Sequence, residues 1–315
     1  MDSFAGRLAV VTGGGSGMGR ELVVQLAADG CSVATCDVNE GALAETAELA
    51  QAGAPEGVRV STHLCDVGDE VRVNAFRDAV LAQHGTEHID LLFNNAGIAG
   101  GGSFITSKRE EWERTFGVTW GGVYNCTRAF VPALIASEDA YLVNTSSVNG
   151  FWASLGPGMP HTAYSTAKFA VKGFSESLME DFKVNAPHVK VAVVMPGHIG
   201  TNIVTNTRLA HGSDPDAMTP EELDDVRTMM ARRGIPAEGI ADGDLQQMVK
   251  MMGEMFRDNA PMSAASAATR ILDGVRAGEW RILVGDDAHK LDEAVRADPE
   301  RAYEPDGPTL GTIVP

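Results

Sequence analysis

A chain of 315 residues with 44% hydrophobic content can bury a substantial core, so one large α/β domain, or one domain with an appended piece, is expected. Its net charge of −18 argues against nucleic acid and anionic membrane surfaces as partners, because both would be repelled. Any anionic ligand must then be held by local geometry. Cys31, Cys36, Cys65 and Cys126 are widely spaced, with no CxxC pair and no histidine cluster beside them. That pattern points to a reduced, cytoplasmic protein and away from a disulfide framework or a metal site.

The opening MDSFAGRLAVV has no basic stretch followed by a long apolar one, so no signal peptide is expected. No apolar run reaches membrane-spanning length. Strands are predicted at 7–13, 31–38, 58–67, 89–97, 140–147 and 189–197, with a last one at 280–285. They are apolar almost throughout, as strands covered on both faces should be. Between them, helices are predicted at 18–29, 39–52, 69–84, 109–135 and 163–184. A repeating strand–helix order implies right-handed crossovers and a Rossmann-like, doubly wound parallel sheet with helices on both faces. Two parts break that rhythm. Residues 200–262 are helical, Met-rich and punctuated by Pro and Gly without a strand, and the tail from 286 to 315 looks extended. The expectation is a single domain over 1–315, with 200–262 as a helical insertion and 286–315 as a tail.

The stretch VVTGGGSGMGREL follows the first strand and opens the first helix. Gly13, Gly17 and Gly19 leave backbone N–H groups bare at a helix N-terminus, where a pyrophosphate can sit and where the helix dipole offers a local positive end. A glycine turn that only packs a helix on a strand has the same look. Asp37, at the end of the second strand, can accept hydrogen bonds from an adenosine ribose and would repel a 2′-phosphate. No Lys or Arg stands beside it, and Ser16 fills the turn position where a basic residue would help, which favours NAD over NADP. Asp66, ending the third strand, can either reach an adenine edge or cap the helix that starts near 69.

Tyr164 and Lys168 stand at i and i+4, so they project from one helix face. A phenol with a reference pKa near 10 is a poor base at neutral pH, and an ammonium beside it favours the phenolate. A serine hydroxyl at the end of a strand can hold a substrate oxygen. Together the three suit alcohol–carbonyl interconversion, with the phenol moving the proton and a nicotinamide moving the hydride. A catalytically silent dinucleotide-binding protein would have no need of all three.

TGGGSGMG (12–19), NNAG (94–97), a serine before YSTAK (164–168) and PGHIGT (196–201) occur in this order. The set resembles the short-chain dehydrogenase/reductase family over most of residues 5–200 and again in the final helix and strand. The resemblance implies that Tyr164 is the acid/base, that Lys168 binds the cofactor ribose and tunes Tyr164, and that a serine polarises the substrate oxygen. It implies further cofactor contacts in the turn from Gly13 through Ser16, Gly17 and Met18 to Gly19, and at Asp37. It extends them to Asp66 with Val67, to Asn94, Ala96 and Gly97, and to Pro196, Gly197, Ile199 and Thr201, the last two at the nicotinamide end. Family members often form dimers or tetramers, so a homo-oligomer is expected.

Two departures stand out. The family's usual Asn in the following helix is replaced by Thr119 in GVTWGG, whose hydroxyl can bond back to the preceding turn and bend the helix, altering a proton relay. The spacing from serine to Tyr164 is also longer than usual. Alignment favours Ser147 over Ser146, and neighbours on a strand face opposite ways. The loop from Val148 to Thr162, with Asn149, Phe151, Trp152, Met159 and His161, then becomes a substrate wall. His161 and His198 can line the pocket without a catalytic role. Met248, Met251, Met252, Met255 and Phe256 recur at helical spacing, either as core packing or as a lid over an apolar pocket. Wall and lid favour, within the expected small hydrophobic alcohol or ketone substrates, a bulky one of cyclic, terpenoid or steroid type, with an NADPH-dependent carbonyl reductase as the alternative.

Overall fold

The computed structural model describes residues 1–156, 158–232 and 234–309. Strand β1 (Leu8–Thr12) is buried at all five positions, and its alternation shows why. Ala9 and Val11 face one core with α1 (Gly17–Ala28), α2 (Glu40–Gly53) and α10 (Ala264–Ala277). Leu8 and Val10 face the other with α3 (Glu70–His84), α5 (Gly122–Ile135) and α6 (Thr162–Asn185). With both faces covered, neither can be polar. The remaining strands are β2 (Ser32–Asp37), β3 (Val60–Leu64), β4 (Leu91–Asn94), β5 (Ala140–Thr145), β6 (Val189–Pro196) and β9 (Arg281–Val284). They form a seven-stranded sheet in the order β3-β2-β1-β4-β5-β6-β9, parallel throughout. The predicted doubly wound α/β class is what the chain adopts. All carboxyl ends therefore lie along one edge, where ligands bind in open α/β sheets.

Local signals set the boundaries. Asn39 caps α2 by accepting the Ala42 N–H, and Asp69 caps α3 by accepting the N–H groups of Val71 and Arg72. The predicted helix at 109–135 is continuous but irregular. It runs as α4 (Arg109–Phe116), a π-helical turn over Gly117–Gly121 that contains Thr119, and α5.

The segment expected to lack a strand is stitched at its ends by one: β7 (Ile199–Gly200) pairs in parallel with β8 (Met262–Ser263). Between them lie α7 (Ile203–Ala210), α8 (Pro220–Arg232) and α9 (Asp242–Asp258). These carry a small core of their own, including Leu223, Val226, Leu245 and Val249. The methionine stripe does not join it. Met248, Met251, Met252 and Met255 are 42–56% exposed, so α9 is buried on the opposite stripe.

The tail expected to be extended begins with a helix, α11 (Asp286–Ala297). Ala288 and Leu291 pack on Val193, Met195 and Leu283, and Asp292 pairs with Arg281 at 2.5 Å and Arg296 at 2.9 Å. Residues 310–315 of that tail lie outside the described residues. Among the described residues no helix is long and apolar enough to cross a membrane, and all four cysteines are buried and unpaired.

Candidate active site

The glycine turn joins β1 to α1 and needs its glycines for separate reasons. Gly13 sits at φ 71°, and a Cβ there would lie 2.8 Å from Ala96 Cα. A Cβ on Gly19 would lie 2.0 Å from the Gly13 carbonyl oxygen, so helix and strand could not close. Gly17, at φ 54°, faces Thr201, whose Cγ2 would stand 3.1 Å from an added Cβ. Ser16 flanks the helix without capping it; its hydroxyl accepts from Asn206 Nδ2 at 3.0 Å. Met18 packs on the core. The Asp37 carboxylate accepts the Gly15 N–H at 3.0 Å, and its other oxygen accepts those of Val38 and Asn39 at 2.7 and 3.1 Å. A carboxylate has about four lone-pair sites, so a ribose hydroxyl can still be received.

Sequence reasoning passed over Arg20. Its guanidinium donates to the Gly15 carbonyl at 2.8 Å and pairs with Glu45 at 2.6 Å. A cation thus stands near Asp37 although none adjoins it in sequence.

Asp66 is not the cap of α3. That role is taken by Asp69, because only Asp69 directly precedes the helix, while Asp66 accepts the Gly68 N–H at 2.9 Å and pairs with Arg114 at 2.8 Å. The Val67 carbonyl accepts from Asn125 Nδ2. The Asn94 side chain also departs from expectation. It turns inward and donates to Thr127 Oγ1 and Asn144 Oδ1, both at 2.9 Å, so its amide nitrogen is committed to the interior. Ala96 and Gly97 lie beyond it. A Cβ on Gly97 would stand 3.6 Å from Lys168 Nζ and 3.7 Å from Thr119 Oγ1, which puts those two polar atoms on one side of the same backbone.

Tyr164 and Lys168 occupy one face of α6 near its start. The Ser147 hydroxyl faces the Tyr164 phenol, whose pKa it pulls down, and accepts the Asn149 N–H at 3.1 Å. Ser146 points the other way and donates to the Lys168 carbonyl at 2.7 Å. The extended backbone that follows β5 thus separates the serines, with Ser147 toward the phenol. Lys168 Nζ donates to the Thr145 carbonyl at 2.8 Å and lies 5.4 Å from the Tyr164 ring centre. Burial pushes the phenol up to about 12, against the pull of Ser147, and pushes the Lys168 ammonium down to about 7. Thr119 is fully buried, and its hydroxyl does not bond back to the preceding turn. A π-helical turn carries the irregularity instead, and the hydroxyl reaches across to Ile98, donating to its carbonyl at 2.8 Å and accepting its N–H at 3.2 Å.

Around this centre, His161 stacks on Tyr164 with ring centres 4.6 Å apart and 21° between planes. Burial pushes its imidazole down to about 4, so it is neutral at physiological pH. Asn149 and Trp152 brace the wall from inside: Asn149 donates to the carbonyls of Trp152 and Ser154, and Trp152 Nε1 donates to Ala302 O at 2.8 Å. A cavity of about 310 Å³ lies between Trp152, Met159 and Pro160 on the wall and Ala302, Tyr303 and Pro308 on the tail. Ile199 is 4% exposed and packs in the core, so its side chain does not face a nicotinamide; its neighbour Thr201 lies against the glycine turn.

A glycine cradle over a helix N-terminus and a Ser–Tyr–Lys cluster, both at the carboxyl edge of a doubly wound sheet, define an oxidoreductase of Rossmann type. A family model described as short chain dehydrogenase matches residues 7–212, and the chain belongs to that family. The SadH protein of Mycobacterium tuberculosis is 37% identical over 297 residues, covering 94% of this chain and 92% of that protein. Human epidermal retinol dehydrogenase 2 is 34% identical over 204 residues, 64% of this chain and 63% of that protein. A short chain dehydrogenase/reductase from Burkholderia phymatum, solved in complex with NAD, superposes with a TM-score of 0.76 at 28% identity, covering 98% of this chain and 99% of that one.

Proposed function

We propose that this protein interconverts a hydrophobic secondary alcohol and the corresponding ketone with NAD, using Tyr164 as acid and base. The observation that carries the reading is the Tyr164 phenol with Lys168 Nζ 5.4 Å from its ring centre and Ser147, which pulls the phenol's pKa down, turned toward it. The residues present fit a dinucleotide. The bare turn accommodates a pyrophosphate, Asp37 has room for a ribose hydroxyl, and Gly97 leaves space in front of Lys168 Nζ and Thr119 Oγ1. When bound, the nicotinamide supplies or accepts the hydride. In reduction, Tyr164 gives its proton to the carbonyl oxygen while Ser147 hydrogen-bonds that oxygen. In oxidation, Tyr164 takes the alcohol proton. A phenol raised to about 12 is fully protonated at neutral pH, which suits reduction, while oxidation requires phenolate and should speed up toward alkaline pH.

The likeness to a retinol dehydrogenase supports a hydrophobic substrate. Residues 200–262 act as the lid of a single domain, and the exposed Tyr124 and Phe169 on α5 and α6 serve as contacts of a homo-oligomer in the cytoplasm. One observation favours a second reading, NADPH as cofactor: Arg20 stands at Gly15, although a 2′-phosphate there would compete with Glu45 for it.

Two measurements test the proposal. Thermal shift with NAD against NADP should favour NAD, and equal shifts would overturn the argument from Asp37. With a panel of hydrophobic ketones and NADH followed by absorbance, Tyr164→Phe should abolish turnover; retained activity would reject Tyr164 as the acid.

A further inference from the structure

Asp287 lies in the first turn of α11, well beyond the residues that match the family model. Its Oδ2 accepts the His198 N–H at 2.6 Å. A Cβ on Gly197 would fall 2.2 Å from Oδ2 and 2.4 Å from Oδ1, so the carboxylate fills the space that Gly197 leaves empty. Gly197 N–H donates to Val284 O at 2.9 Å, and His198 Nε2 bonds Phe256 O at 2.7 Å. The turn from Pro196 to His198 is therefore held from the C-terminal strand, from α9 and from the start of α11. It runs directly into Ile199 and then Thr201, which packs on the glycine turn. The same C-terminal segment reaches the substrate wall, where Ala302 O accepts from Trp152 and the Tyr303 hydroxyl accepts from Ala153 N–H.

We infer that Asp287 is a positioning residue that sets the turn Pro196–Thr201 against the nicotinamide half of the dinucleotide. The inference rests on the cofactor site proposed above. Asp287 touches neither substrate nor cofactor and acts through the His198 N–H and the bare Gly197. The glycine of the PG pair is thereby required by a protein carboxylate. A bond to a carboxylate oxygen is stronger than one to a neutral acceptor, and removing the acceptor leaves the His198 N–H unpaired. The adenosine half is held elsewhere, at Asp37 and the glycine turn, so the two halves should respond separately.

The test measures dissociation constants of NADH and of ADP-ribose, which lacks the nicotinamide, for the full-length protein by calorimetry. Asp287→Ala should weaken NADH about tenfold and leave ADP-ribose nearly unchanged. Asp287→Asn, which keeps an acceptor oxygen, should recover most of the NADH affinity. Should Asp287→Ala fail to fold, Gly197→Ala presses on the same carboxylate from the other side and should show the same selective loss. Equal weakening of both ligands, or no change in NADH, would overturn the inference. A wild-type protein that binds neither ligand would instead reject the cofactor site itself.

Discussion

Replacing Thr119 by valine tests what holds the backbone in front of Lys168. Valine keeps the β-branched shape, so helix geometry and volume are preserved, and only the hydroxyl is lost. That hydroxyl makes two buried bonds to one residue, donating to Ile98 O at 2.8 Å and accepting Ile98 N–H at 3.2 Å. Valine leaves a buried main-chain donor and acceptor of Ile98 without their Thr119 partner. Each costs about 1–3 kcal/mol, and the carbonyl, with a second lone pair, falls at the lower end. Burying a methyl in place of the hydroxyl returns about 1 kcal/mol, so the net loss should be about 1–3 kcal/mol. Urea unfolding of the apoprotein followed by circular dichroism should show a lower midpoint at unchanged slope. Thr119→Ser keeps both bonds and should cost about 1 kcal/mol for the lost methyl. Ile98 adjoins Gly97, whose open side faces Lys168 Nζ and Thr119 Oγ1. Turnover should therefore fall with valine and largely persist with serine. A valine variant within about 0.5 kcal/mol of wild type would refute the reasoning.

The remaining expectations concern neighbouring groups. Ser147→Ala should remove turnover with little loss of stability, whereas Ser146→Ala should cost about 1 kcal/mol by releasing the Lys168 carbonyl; the opposite pattern in steady-state kinetics would reverse the assignment. Burial holds the Lys168 ammonium down to about 7, from an ordinary 10.5. Between those values the unfolded chain binds the extra proton, so this contribution to stability grows as pH rises from 7 and is lost as pH falls back, by at most about 1.4 kcal/mol per unit. Lys168→Met, measured by calorimetric melting from pH 7 to 9, should show a shallower rise than wild type; parallel curves would exclude a depressed lysine. On α9, Leu245→Ala should cost about 2–4 kcal/mol and Met252→Ser almost nothing, because Leu245 is fully buried and Met252 is 56% exposed. Equal losses in denaturant titrations would contradict the burial pattern.

How legible these features are in the sequence follows from their range. The strands stand out because both faces of each are covered, which leaves apolar runs such as Leu91–Phe93 without polar interruption. The Tyr164–Lys168 pair stands out because its spacing is a helix turn. Periodicity also finds α9 but says nothing about phase: the methionines form a stripe, and only the packing on Leu223 and Val226 shows that the Leu245–Val249 stripe is the buried one. The helix at 286–297 was missed because acidic residues surround its apolar positions, although Ala288, Leu291 and Val295 carry the required i, i+3, i+7 spacing. Arg20 at Gly15 and Asp287 at Gly197 follow no local pattern. Each joins segments that only the fold brings together.

Net charge raises a harder question, how a chain at −18 can receive an anionic dinucleotide. Helices α2, α3, α4, α8, α9 and α11 all carry acids in their first turn, where the dipole favours them. Helix α1 carries none. The acid nearest its turn, Asp37, spends its charge on the N–H groups of Gly15, Val38 and Asn39, and Arg20 adds a cation at the Gly15 carbonyl. The positive end of α1 thus carries no acid on its own first turn, and the two acids around it, Asp37 and Glu45, are engaged by backbone N–H groups and by Arg20. Placing an acid there, as in Ser16→Asp at the helix start, would set a carboxylate beside the proposed pyrophosphate site, and its effect should weaken as salt is raised.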